Sequence, residues 1–264
     1  MTRIVALLSK ELLDIARNRA ALLPVAIITI MSLALPFTVT IAIPAMTGQG
    51  LGEDTDLVRV SAVTGVHAQL SAEARVQLFL FQQFLMMFLL IPITGAMALA
   101  AHSVVGEKQA RTLEPLLATP IGTWELLIAK VLGALLPTLT IAIIGLLFYF
   151  GGIAIFAEPG VARAMVTSRT AVMIGIVGPV AALVSLQAAL VVSSRVNDAR
   201  TAQQFGVLII IPLSALLVAQ FTGTVWLSTL ALAFVALGLF GMWILLTLAS
   251  VVLFERENIL TRWK

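Results

Sequence analysis

The stretch GEKQARTLEPLLATPIGTWELLIAK, residues 106 to 130, sets three Glu, two Lys and one Arg between two long apolar runs. The chemistry open to these side chains is ion pairing, within the chain or across an interface. Leu113, Leu116 and Leu117 can face one way while Lys108, Arg111 and Glu114 alternate in charge, and Pro120 stops the turn. That pattern predicts a short amphipathic helix beginning at Glu107. Any loop between two membrane spans must also be polar, so the charges alone leave the plainer reading open.

Other chemistry has little to work with. His67 and His102 are the only histidines, and the topology below puts them on opposite sides of a membrane, where they cannot share a metal or catalytic site. HExxH, GxSxG and a paired intramembrane Asp are all absent, as is GxxxxGK[ST], so neither a membrane-embedded hydrolase nor ATP binding by a phosphate loop is expected of this chain. Cysteine is absent, which removes disulfides and thiolate metal sites. No cofactor is expected in the chain itself.

The elements that must position these residues are dictated by composition. Of 264 residues, 60% are hydrophobic and 11% charged, and mean hydropathy is +1.08. Soluble domains carry roughly a quarter charged residues, so this is expected to be an all-α, polytopic membrane protein, long enough for about six spans of roughly 20 residues and little else. Apolar runs fall at 21–46, 78–101, 126–156, 170–192, 205–220 and 225–254. The last two are inferred from one uncharged stretch, Thr201 to Phe254, too long for a single crossing of a core about 30 Å thick, with FTGT at 221–224 as the turn. Helices are required because the runs lack the alternation of barrel strands and lipid offers no partner to open backbone groups.

Before the first run, residues 1–20 place Ile4, Leu8, Leu12 and Ile15 on one helical face and Lys10, Asp14 and Arg17 opposite, the pattern of an uncleaved amphipathic helix lying on the membrane surface. Residues 47–77 form the longest loop, within which 57–70 has the spacing of a short amphipathic helix; Ser71, followed by Glu73, reads as an N-cap for a helix through Pro92 to about Val105. With the N-terminus cytoplasmic, 12 of the 16 basic residues lie inside and Arg59, Arg75, Arg163 and Arg169 outside, so both termini are expected in the cytoplasm. The +3 net charge then reflects orientation in the membrane, and nucleic-acid binding is not expected.

By this assignment the spans contain no Asp, Glu, Lys or Arg, which disfavours transport driven by protons or sodium. Gln82, Gln83, Thr94, Tyr149, Ser185, Gln187, Ser214 and Gln220 are the polar candidates for a pathway lining, each also able to serve a neighbouring helix. An uncharged lining suits lipids, amphiphilic drugs, peptides or a lipid-linked polymer better than bare ions. GxxGP at 175–179 reads as close packing or a kink.

In residue order, the island at 106–130 resembles the signature loop of permease subunits of ABC transporters of the type-2 exporter class. Glu107, Lys108, Thr112, Leu113, Glu114, Leu116, Leu117, Thr119, Pro120, Ile121, Glu125, Leu126, Leu127 and Lys130 match that pattern; Arg111 stands where many members have Gly, and Ala129 where Gly is frequent. VNDARTAQQFGVLIIIPL resembles the family's passage into a fifth span, and LFERENILTRWK its usual ending. The resemblance covers nearly the whole chain.

It implies that a coupling-helix loop at 106–125 docks on a separate ATPase subunit through Glu107, Lys108, Arg111, Thr112, Leu113, Glu114, Leu117 and Thr119. Two permease copies, identical or homologous, would form the pathway in the cytoplasmic membrane, with ATP and Mg bound by the partner ATPase. The alternative is a membrane assembly or maturation factor, or a sensor, for cell-envelope components that uses the same ATPase coupling; the loop at 47–77 would then be its recruitment platform.

Overall fold

A computed structural model describes residues 2–62, 69–112, 122–196 and 227–253, together with Asp198, Thr201, Gln204, Ile211, Ala215, Val218 and Ala219. Among these residues every regular element is helical. Five helices are long and apolar enough to cross a membrane: Ala21–Thr47, Ala72–Gln109, Thr123–Phe156, Ser168–Arg195 and Thr229–Leu253. The span expected at 205–220, the turn after it and the candidates Ser214 and Gln220 lie outside the described residues.

Helix α1 (Thr2–Arg17) packs through Leu7, Glu11 and Ile15, one residue per turn, so a carboxylate sits in the middle of its buried stripe. Asn18 follows, and its side chain accepts from Ala21 N at 3.1 Å to start α2 (Arg19–Phe37). Pro36 has no N–H for the helical ladder, which widens into a π-helical turn at Thr38–Ala42; Thr40 Oγ1 donates to Pro36 O at 2.7 Å. A last turn, Ile43–Thr47, ends at Gly48, whose φ of 70° is open to glycine at no steric cost.

At this end of the bundle, away from α1, Asp54 caps α3 (Thr55–Ser61), which covers the first part of the amphipathic stretch expected at 57–70; residues 63–68 are outside the described set. Ser71 Oγ accepts from Ala74 N at 3.1 Å and starts α4 (Ala72–Leu85). Glu73 in its first turn accepts from Gly52 N at 2.6 Å and so holds the loop against the helix. The ladder tightens to a 3₁₀ turn over Met86–Leu89 and resumes as α5 (Leu90–Gln109). Pro92 explains the break, because its ring crowds the carbonyl four residues earlier, at Phe88.

Helices α4 and α5 form the axis of the fold. Within its apolar stretch 89% of this second span is buried, against 17% of the first and 11% of the last. Small residues permit it: a Cβ on Gly95 would lie 2.5 Å from Thr138 Cγ2 and 3.3 Å from Val25 Cγ2, so the first three spans meet there in near backbone contact. Helix α6 (Thr123–Phe156) presents Ala134, Thr138, Ala142, Gly145, Tyr149 and Ile153 to this axis at helical spacing, and leaves Leu136, Ile143, Leu147 and Phe148 exposed on its outer face, as a helix bordered by lipid should.

Two short helices, α7 (Val161–Met165) and α8 (Ser168–Val172), lead into a π-helical turn at Met173–Val177 and α9 (Gly178–Arg195). The widened turn lies directly before Pro179, within GxxGP, and is the local irregularity that motif suggested. Helix α9 packs on α5, and α10 (Thr229–Leu253) packs on α9.

Candidate functional site

Where α1, α5 and α6 meet, four charged side chains close an alternating ring. Lys10 Nζ contacts the Glu107 carboxylate; Lys130 Nζ lies 2.7 Å from Glu107 Oε2 and 3.1 Å from Glu11 Oε1; and Lys10 Nζ returns to Glu11 Oε1 at 3.5 Å. Ser103 Oγ, one turn before Glu107 on α5, accepts from Lys130 Nζ at 2.8 Å and donates to Glu11 Oε2 at 2.7 Å. Three oxygens thus surround one ammonium. Lys130 is 1% exposed, Glu11 3% and Glu107 6%.

Glycine makes the close approach possible. A Cβ on Gly133 would lie 2.8 Å from Glu11 Cβ, so only glycine lets α1 rest on α6 at this depth. Lys10 is half-buried and also reaches Asp14 Oδ2 at 3.3 Å. Burial opposes its charge, yet the hydrogen bond and charge of Glu107, with Glu11 and Asp14 nearby, hold its pKa above the ordinary lysine value. For Glu11 burial would raise the carboxyl pKa, but Lys130, Ser103 and Lys10 together keep it below the ordinary 4.5.

The signs set a pH window. Glu11, with a depressed folded pKa, contributes stability that is present above 4.5 and lost as pH falls through its folded value; Lys10, with a raised one, contributes stability present below 10.5 and lost as pH rises through its folded value. Docking of α1 is therefore expected to be indifferent to pH from about 5 to 10 and to loosen in more acidic solution. Hydrogen exchange of α1 amides as a function of pH checks this; a step in protection near pH 7 would contradict it.

The residue after Glu107 points the other way. Lys108 Nζ donates to Ser193 O at 2.9 Å, Ser194 O at 2.8 Å and Val196 O at 3.2 Å. Those carbonyls end α9 and have no helical partner, so a cation from the second span caps the fourth.

The helix expected to begin at Glu107 does not begin there. Nothing breaks the ladder before residue 110, and Glu107 and Lys108 belong to the last turn of α5. The stop is a Schellman motif: Thr112 N donates to Glu107 O at 3.0 Å, Arg111 N donates to Lys108 O at 3.1 Å, and Arg111 takes the left-handed conformation at φ 53°. This is the position at which the resembling family often has Gly, and the backbone supplies the reason, since a residue with a Cβ pays about 1–2 kcal/mol in that region. Arg111→Gly is expected to stabilise the isolated chain by about 1 kcal/mol, read as a higher thermal midpoint in detergent; an unchanged or lower midpoint would contradict this.

Leu113, Glu114, Leu117 and Thr119 lie outside the described residues. The island's far end is described: Glu125 Oε2 accepts from Gly122 N at 2.9 Å and sets the start of α6. Of the eight residues expected to serve coupling, Glu107 and Lys108 are brought into contact with other segments of the same chain, and Arg111 and Thr112 form the turn that follows.

The pathway candidates are not gathered into one lining. Tyr149 is fully buried and donates to Phe81 O at 2.7 Å within a cluster of Phe37, Phe81, Phe88 and Phe150. Ser185 Oγ donates to Ile93 O at 3.0 Å, fastening α9 to α5. Gln187 joins α9 to α10: its Nε2 donates to Thr247 Oγ1 at 3.1 Å and its Oε1 accepts from Ser250 Oγ at 2.9 Å. Thr94 Oγ1 donates to Leu90 O in its own helix at 2.5 Å, and Gln82 and Gln83 are buried in α4. A recess of about 340 Å³ between the first and third spans is lined by apolar residues such as Phe37, Phe148, Gly152 and Phe156, and by none of these candidates.

Sequence reasoning missed Lys10, Glu11 and Ser103 as a unit. The signal was Glu11, four residues from both Leu7 and Ile15: a charge in register with a buried stripe requires a buried counter-charge.

A search among curated proteins returned no match. A family model described as "ABC-2 family transporter protein" matches residues 5–259, almost the entire chain and every helix of the joint just described. The chain is a multi-pass membrane protein and belongs to the ABC-2 family of transporter proteins.

Proposed function

We propose that this protein is the non-catalytic membrane subunit of an ATP-driven exporter, with six spans and both termini in the cytoplasm. Two copies, or one copy and a homologous permease, enclose the pathway in the cytoplasmic membrane. A separate ATPase subunit binds ATP and Mg and docks on the island through Arg111, Thr112, Leu113, Glu114, Leu117 and Thr119.

The observation that supports this best is the way the island begins. Glu107 and Lys108 fasten its first residues to α1, α6 and α9, so a push on the segment that follows acts on several helices of the bundle at once. A loop that only bridged two spans would need no such bracing. Coupling of ATP binding to a pathway needs contacts that differ between two states of the ATPase and an element stiff enough to carry the difference.

The test uses the chain's lack of cysteine. Single cysteines replacing Glu114 or Thr119 are expected to crosslink to the ATPase encoded beside this protein, with a yield that changes when ATP is added. Crosslinks to lipid or to a second permease alone, from both positions, would sink the docking assignment.

A further inference from the structure

We propose that α1 is a working part of the coupling machinery, carried by the ion ring as one body with the adjacent ends of the second and third spans. This rests on the island being the ATPase-docking segment. An amphipathic helix that served only to rest on lipid would turn its charges to water and its apolar face to the bilayer. Here Glu11 occupies the centre of the inward stripe and is 3% exposed.

The ring ties α1 to two helices through the same pair of charges. Lys130 of α6 is shared by Glu11 of α1 and Glu107 of α5, and Lys10 of α1 is shared by the same two carboxylates. Any relative sliding of the three helices separates unlike charges that are out of reach of water, where the attraction is strongest. Gly133 holds the seam at near backbone contact, which removes slack. Glu107 is four residues from Arg111, where the docking segment leaves the helix, so displacement of that segment is delivered to α1 within about one helical turn. Lys10, Glu11, Lys130 and Ser103 are thus positioning residues for the coupling stroke.

The experiment replaces the ionic seam by a covalent one that can be opened. In the double variant Glu11→Cys, Gly133→Cys the two Cβ atoms face each other; the 2.8 Å expected from the present backbone must open slightly to reach the about 3.5–4.5 Å of a disulfide. The variant and the unmodified chain are each co-purified with the partner ATPase and reconstituted in lipid vesicles. With the thiols reduced, the ATPase is expected to stay bound while its stimulation by the permease falls about tenfold; after oxidation, stimulation is expected to return to within about twofold of the unmodified complex.

Full stimulation in the reduced variant would overturn the proposal, as would a variant that stays uncoupled after oxidation, since α1 would then have to move independently of α6. Failure of the unmodified chain to bind or stimulate the ATPase would remove the docking assignment itself, and this proposal with it. Should the double variant not accumulate, Lys10→Met supplies the same reading from a side chain that is 41% exposed: bound ATPase with reduced stimulation supports the proposal, and normal stimulation overturns it.

Discussion

Lys130→Met is expected to destabilise the folded chain by about 3–5 kcal/mol, the cost of leaving buried charges without their partner. The residue is 1% exposed and its ammonium is surrounded by Glu107 Oε2 at 2.7 Å, Ser103 Oγ at 2.8 Å and Glu11 Oε1 at 3.1 Å. Methionine fills much the same volume, so the loss would be electrostatic rather than steric. Both carboxylates would remain, one of them retaining only the half-exposed Lys10. The measurement is the thermal midpoint and yield of the purified chain in detergent, compared with the triple variant Lys130→Met, Glu11→Gln, Glu107→Gln. Removing the whole buried set is far less costly than removing one member, so the triple variant should recover much of the loss. Equal midpoints for the single variant and the unmodified chain would contradict the ring.

The second large effect is expected at Tyr149. Tyr149→Ala should cost about 3–5 kcal/mol, the range for emptying a buried aromatic site. Its ring lies 4.8 Å from that of Phe88, 5.8 Å from Phe37 and 5.9 Å from both Phe81 and Phe150, measured between centroids. Tyr149→Phe keeps those contacts and loses the hydrogen bond to Phe81 O, leaving a buried carbonyl with one partner fewer, for about 1 kcal/mol. A residue lining a pathway would behave differently: it would change which substrates pass and barely affect folding. Thermal midpoints of both variants, beside transport of any substrate found, separate the two roles.

Helical class and the position of the long apolar runs were legible because lipid imposes them: uncharged stretches of about 20 residues have no other stable conformation in hydrocarbon. Ser71 as a cap and Pro92 as a break were legible for local reasons, since a cap and a missing N–H act within one turn. Glu107 was legible as a functional position but not in its setting. Its partners, Lys10 and Lys130, are distant in sequence, and no periodicity within the island could report that its carboxylate turns inward. Lys108 is the same case, because the helix it caps ends 85 residues away. The uncharged-span assignment gave no reason to look for a buried ionic joint, which lies just beyond the apolar runs, where three helix ends converge.

Arg111 lies between these cases. Its departure from the Gly of the resembling family was visible in the sequence, while the left-handed backbone that gives the departure a meaning was not. A side chain kept at about 1–2 kcal/mol of backbone strain, beside the segment proposed to dock, suits a cation that meets a partner.

The claim on which the rest depends is that an ATPase couples to this chain. Purification of the tagged protein in mild detergent from its native host, with mass spectrometry of whatever accompanies it, tests this most directly. The expected result is a stoichiometric partner carrying a phosphate-binding loop, in a complex sized for two permeases and two ATPases. A chain that is repeatedly recovered alone, and that fails to bind the neighbouring ATPase on co-expression, would contradict it.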